Sequence, residues 1–355
     1  MRFDQGKVYI DPSSNIIYSS YYIKGLYEVF GKKNVSFSTC YFESLNKRKD
    51  DYSYDAYMAL VIVSKGKKNK VIIDFGDDYP IRENAYEWCD VYAKINYDPK
   101  RTRPYFKEKI HSIPPSFGIK IWNVSKAIYY CVSNLIKLKF NPQISLKNYF
   151  RSYLSQIKQL RLESFLPNHK EKSVQEKSVF FIASLWPHAN CLTGTNRYRK
   201  MYIDSCLKNG VHFEGGFWVT DTGHPQFKEF KQLTFTRRYP LREFIEKTKK
   251  SLFVFNTPAV HHCHGWKLGQ FLAMNKAIIS TPFQNVLPVD LEHGKNIHFV
   301  KNEHDIAAAI EKLVHDEEYR TKLEEGAQKY YLKYAEPAAV ISHINQKLKL
   351  NSAHE

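Results

Sequence analysis

The sequence predicts an α/β protein built from two doubly wound units, and three observations carry that prediction. At 355 residues the chain is longer than the roughly 250–300 residues that one hydrophobic core organises. Short apolar runs alternate with segments of helical period, the pattern of parallel strands joined by crossover helices. The alternation occurs twice, on either side of a charged bridge at residues 146–177. Two Rossmann-like domains facing a cleft are therefore expected. Residues 1–165 form the first, 166–335 the second, and 336–355 a closing helix that packs back on the first.

In the first half, residues 7–10 (KVYI) read as a strand, and residues 19–30 carry apolar side chains at helical spacing up to Gly31, a residue suited to a helix C-terminus. Strands follow at 35–37, 56–64, 70–75 and 91–95, with a helical segment at 83–89. Residues 119–140 (IKIWNVSKAIYYCVSNLIKLKF) mix aromatic, branched aliphatic and lysine residues. A helix packed on the core and a helix lying on anionic lipid both fit that mixture. The second half opens on the apolar run SVFFIASL at 178–185, stopped by Trp186-Pro187. Helices are expected at 196–209, 241–250, 266–274 and 304–316, and strands at 211–213, 252–256, 277–280 and 297–300. Residues 316–334 and 337–350, rich in Lys, Glu and Tyr, read as covering helices.

The formal charge of +17 creates a field that draws polyanions, acidic headgroups or phosphorylated substrates. Its clusters, Lys47-Arg48-Lys49 and Lys65, Lys67, Lys68 and Lys70, read as solvated loops. A nucleic-acid-binding protein is one rival reading, but the cations are dispersed and no helix-turn-helix, RNP-type or zinc pattern occurs. Nucleic acid is thus not an expected partner. No run of 18 apolar residues and no signal-peptide pattern is present, so the chain is expected in the cytoplasm, at the inner face of the plasma membrane where peripheral contact is made. Six cysteines without CxxC pairs read as reduced thiols.

The segment HHCHGWKLGQFLAMNKAIIST (261–281) begins like a metal site. Adjacent side chains diverge, however, so only alternate pairs such as His262 and His264 could converge, and no second ligand cluster lies at metal spacing. No metal ligand is assigned, and metal-independent chemistry is expected. The residues that follow are more informative. A strand, a loop containing Gly265 and a helix N-terminus at Trp266 form a unit that presents a positive dipole end to a phosphate. Lys267 adds a full charge in the first turn.

At this point the chain resembles the glycosyltransferases of the two-domain GT-B fold, in particular family 4 (group 1) and its bacterial relatives that build surface polysaccharides. Those domains carry a segment K-x-x-E-Y-L-A-M-G-K-P-(V/I)-I-(A/S)-T, which Lys267 to Thr281 follow nearly position for position. The tail from Val300 through Asp305-Ile306 is similar to the usual ending of such domains. The resemblance implies a nucleotide-sugar donor such as a UDP- or GDP-sugar, a glycan or lipid-linked acceptor, and a role in lipopolysaccharide or capsule synthesis, with retention of anomeric configuration. It places His262 and Gln270 where the family has two glutamates, which position the transferred sugar and the donor ribose. Because neither is a glutamate, a catalytically inactive protein of the same fold is the second rival.

Chemistry of this class must stabilise charge on the departing diphosphate. Arg197, with Arg199 as its near rival, Lys267, and Arg237 with its neighbour Arg238 are the candidate cations. His264, Gly265, Trp266 and Gln270 complete the candidate donor set. On the acceptor side, the strand VIIDFGDDYP ends in Asp74, Asp77 and Asp78. Asp77 or Asp78 could serve as base or orienting group beside His262, and His111 with the SIPPSFG loop is a second candidate.

Overall fold

The computed structural model describes residues 6–45, 56–139, 144–167, 177–219 and 222–353. The Lys47-Arg48-Lys49 cluster and residues 168–176 of the bridge lie outside the described residues. The chain divides into two compact units: residues 1–162, 285–289 and 332–355 form unit 1, and residues 163–284 and 290–331 form unit 2.

Unit 1 contains β1 (Lys7–Ile10), α1 (Ile16–Phe30), β2 (Val35–Phe37), β3 (Tyr57–Ser64), β4 (Lys67–Asp74), α2 (Glu83–Trp88), β5 (Val91–Lys94) and β6 (Ile110–Ser112). They build a six-stranded sheet in the order β2-β1-β3-β4-β5-β6. Alternation alone predicted parallel strands, and here the structure corrects it: β3 runs antiparallel to both β1 and β4. The cause is local. Ser64 pairs with Lys67, leaving a two-residue turn of Lys65 and Gly66 at φ 49° and 79°. Two left-handed residues make the turn whose twist matches an antiparallel hairpin. The lysines that read as a solvated loop form this turn and the exposed start of β4. Along β3, Met58, Leu60 and Ile62 enter one core while Tyr57, Ala59 and Val61 enter another, as a strand of period two buried on both faces must.

The sheet is followed by α3 (Val124–Lys137) and α4 (Leu146–Lys158). Asn123 and Ser145 accept the backbone N–H of Lys126 and Asn148 and so cap the two helices. They pack together through Asn134 Nδ2, which donates to Tyr153 Oη at 2.9 Å, and Tyr149 Oη, which donates to the Cys131 carbonyl at 2.7 Å.

Unit 2 contains β7 (Ser178–Ser184), α5 (Asn196–Lys208), β8 (His212–Trp218), α6 (Phe227–Phe230), β9 (Thr234–Phe235), α7 (Leu241–Lys250), β10 (Val254–Asn256), α8 (Trp266–Ala273), β11 (Ile278–Ser280), β12 (His298–Phe299), α9 (Glu303–His315) and α10 (Glu317–Tyr330). Its strands form two parallel three-stranded sheets, β7-β8-β9 and β10-β11-β12, joined where the Leu252 N–H donates to the Ser178 carbonyl. β8 continues well past the expected 211–213, through Gly215 and Gly216 at φ 117° and 135°. A Cβ on these glycines would lie 2.0 Å from the Phe181 carbonyl oxygen and 2.2 Å from that of Leu233. Gly-Gly, ordinarily a strand breaker, is what lets this central strand fit between its neighbours.

The chain ends in α11 (Pro337–Ala353), which returns to unit 1 and runs against α1. Tyr21 Oη donates to the Ala335 carbonyl at 2.8 Å. Gly25 lies at the crossing, where a Cβ would be 2.2 Å from the Pro337 carbonyl oxygen. Helix propensity alone would make Gly25→Ala stabilising by about 0.5–1 kcal/mol. The close backbone approach reverses the sign, and urea denaturation should show a loss of about 1–3 kcal/mol. A gain would mean that α11 does not press on α1.

Candidate functional site

Unit 2 contains a cavity of about 380 Å³, a size in the range of small-molecule sites. Its wall includes Ser184, Trp218, Phe235 and Asn256, the last residues of β7, β8, β9 and β10. Open α/β sheets take ligands at this carboxyl edge of their strands.

Two loops frame the opening, one after β7 and one after β10. Asn190 Nδ2 donates to the Ala259 carbonyl at 2.8 Å, and Thr195 Oγ1 to the Pro258 carbonyl at 2.9 Å. The second loop folds back on itself through the Ala259 N–H and the Cys263 carbonyl. His261 and His262 hold left-handed backbone angles, φ 54° and 61°, each costing about 1–2 kcal/mol in a residue with a Cβ. That strain sits directly before α8, whose N-terminus at Gly265 has no side-chain cap.

The electrostatics are one-sided. Arg199, 7% exposed, donates through Nε to Thr257 Oγ1 and through a terminal nitrogen to the Ser184 carbonyl, both at 3.0 Å. Lys267 donates to the Ile182 carbonyl, and its ammonium lies over the rings of Phe181 and Phe244 at 5.4 and 6.0 Å. Neither cation has a carboxylate within salt-bridge distance among the described residues. Burial lowers the Arg199 guanidinium to about 10, leaving it charged at neutral pH. Burial, then repulsion from Arg199, lowers the Lys267 ammonium to about 7. Arg237 also lines the cavity but is held by both oxygens of Glu243 at 2.7 and 2.8 Å and stacks on Tyr239. Trp186, Trp218, Phe235 and Tyr239 give the rest of the wall an aromatic character.

Of the sequence candidates, Arg199, Arg237, Arg238, Gly265, Trp266 and Lys267 come together around this cavity. Arg197 does not. It is exposed, while Arg199, two residues on and about 200° further around α5, points inward. His264 is buried with its ring edge-on to Phe283 at 5.0 Å, and Gln270 is buried on α8. Neither of these, nor His262, lines the cavity. In unit 1, Asp74 is fully buried and accepts from Tyr92 Oη at 2.5 Å and Lys94 Nζ at 3.0 Å. Asp78 is paired with Arg82 at 2.5 Å and Asp77 is exposed. Burial lowers His111, on β6, to about 4, so it is a neutral imidazole at pH 7. Sequence reasoning missed Trp218, Phe235 and Thr257; the only trace of them was that each ends or follows a strand.

No family model and no curated protein matches the chain. Solved structures of similar build do exist. The C-terminal domain of a group 1 family glycosyl transferase (LpcC) from Francisella tularensis is 16% identical, over 48% of this chain and 96% of its own, with a TM-score of 0.35. Anabaena HepE, solved in complex with UDP-glucose, is 10% identical over 74% of this chain and 79% of its own, with a TM-score of 0.39. A glycosyltransferase from Rickettsia africae is 11% identical over 75% and 78%, also with a TM-score of 0.39.

The lowered Lys267 gives a pH dependence of definite sign. The unfolded chain keeps this proton up to about 10.5 while the folded protein releases it near 7. Lys267 therefore penalises the folded state fully below pH 7, and stability is regained as pH rises through that window. An anion that pairs with Lys267 restores the proton. Binding of sulfate, an anion that does not itself titrate in this range, above pH 7 should then take up about one proton, seen as a dependence of calorimetric enthalpy on the buffer's ionisation enthalpy. Lys267→Met should abolish the uptake; uptake that persisted would place the proton elsewhere.

Proposed function

We propose that this chain is a glycosyltransferase that takes a nucleotide-activated sugar, a UDP- or GDP-sugar, into the cavity of unit 2 and passes the sugar to a glycan or lipid-linked acceptor of a bacterial surface polysaccharide. The observation that carries the reading is the pair Arg199 and Lys267, two basic groups with no carboxylate partner among the described residues, on the wall of an aromatic-lined cavity at the carboxyl edge of a parallel sheet. A nucleoside diphosphate matches that wall part by part. Its phosphates meet the cations and the uncapped start of α8, and its base meets the aromatic surface of Trp218, Phe235 and Tyr239.

Cleavage of the sugar–phosphate bond leaves an oxocarbenium-like centre and builds negative charge on the departing diphosphate. Fixed cations stabilise that charge without reorganising during the reaction. Arg199 supplies a permanent charge. Lys267 is tuned so that an arriving anion reprotonates it. Together they fill the role that a divalent ion would otherwise take, and the proposed transfer is metal-independent. Retention of anomeric configuration is the proposed outcome, read by NMR of the product anomer.

A donor present at 100 times its dissociation constant adds about 2.7 kcal/mol of stability, so a thermal-shift panel of UDP, GDP and their sugars should single out one nucleotide. Arg199→Ala and Lys267→Ala should each weaken that nucleotide about 10- to 100-fold, the worth of a charged hydrogen bond, whereas Arg197→Ala should leave it unchanged. A panel without any stabilising nucleotide would overturn the proposal, as would full affinity in both cavity variants.

A further inference from the structure

Among the described residues, α3 and α4, which pack together, carry about half of the large exposed apolar side chains. Val124, Ile128, Val132 and Ile136 recur every four residues along α3 and are between 50% and 62% exposed; Leu146, Phe150 and Leu154 do the same along α4 at 43% to 57%. The faces about 100° around each helix are already committed, since Ala127, Cys131 and Asn134 of α3 and Tyr149, Tyr153 and Gln156 of α4 are buried. Each helix thus has an inner face that packs and a second, outward stripe that no described residue of unit 1 covers.

Charge decides what could cover it. Between Glu108 and Glu163 the sequence has no Asp or Glu and nine Lys or Arg. On α4 the exposed Lys147 and Arg151 each follow a stripe residue directly, and Lys158 lies four residues beyond Leu154. On α3, Lys126 is close enough to Lys32 to help lower its ammonium, although burial is the larger cause. A second copy of the chain would bring the same uncompensated cations face to face. An acidic bilayer would instead meet the apolar stripe with acyl chains and the cations with headgroups. No described helix is long and apolar enough to cross a membrane, so the pair suits lying in the interface.

We propose that α3 and α4 form a docking face for the surface of a membrane containing anionic lipid. The proposal stands on unit 1 alone and survives if the cavity of unit 2 binds something other than a nucleotide.

Flotation of the full chain with vesicles tests it. The protein should float with vesicles of phosphatidylcholine mixed with phosphatidylglycerol, remain behind with phosphatidylcholine alone, and be released by salt as screening shortens the reach of the headgroup charge. The variant Ile128→Ser/Val132→Ser/Phe150→Ser/Leu154→Ser should lose flotation. Lys147→Gln/Arg151→Gln/Lys158→Gln should weaken it on the order of 100-fold, from the contribution expected of three cations near an acidic surface. Both variants alter exposed side chains, so unchanged circular dichroism and melting are expected. Failure to float, equal flotation with neutral vesicles, or retention by both variants would overturn the proposal. So would a dimer in light scattering that the serine variant dissociates.

Discussion

Arg199 and Lys267 share one wall of unit 2 with no carboxylate within salt-bridge distance among the described residues, and the character of the cavity follows from that imbalance. Arg199 and Lys267 are held by the Ser184 and Ile182 carbonyls and the Thr257 hydroxyl, neutral acceptors that orient the two groups without supplying a balancing charge. Unit 1 shows the contrasting solution. There the buried Lys94 meets the buried Asp74 at 3.0 Å, and Tyr92 Oη and the Gly76 N–H also donate to the carboxylate. A pair satisfied from within is closed to ligands and serves the fold; a pair left charged is open to an anion. The position of each group, more than its residue type, separates the two cases.

The parallel sheets explain why the cations can sit where they do. Four strands end at the same edge, so their final carbonyls and the loops that follow converge. The same construction concentrates strain: left-handed His261 and His262 precede α8, and hydrogen bonds from Asn190 and Thr195 hold the loop they belong to. Such strain persists only where surrounding contacts over-determine the backbone. Gly215 and Gly216 serve the same edge from a distance, because β8 could not deliver Trp218 to the cavity if either carried a side chain.

Much of this was legible in the sequence where local physics decides. Residues 7–10, 35–37 and 241–250 form the expected elements with the expected limits, because their apolar periods and bounding residues leave little choice. The segment from Gly265 to Lys267 could be read as a helix start for the same reason, and it lines the cavity. What was not legible depended on partners far along the chain. The hairpin at Lys65-Gly66 was hidden among lysines, and the long β8 behind a Gly-Gly pair that reads as a break. The inward turn of Arg199 in place of Arg197 follows from which face of α5 meets the sheet.

The sequence by itself determined an α/β chain with two repeats of the plan, a strongly basic surface, and a glycine-led helix start carrying Lys267, since each rests on composition or on spacing within about twenty residues. Tertiary structure alone decided that β3 runs against its neighbours, that Arg199 joins Lys267 across 68 residues of chain, and that the second apolar stripes of α3 and α4 are exposed among the described residues. Those outcomes depend on which faces meet. Burial is settled by the whole fold, and a side chain's charge acquires its consequence only once its neighbours in space are fixed.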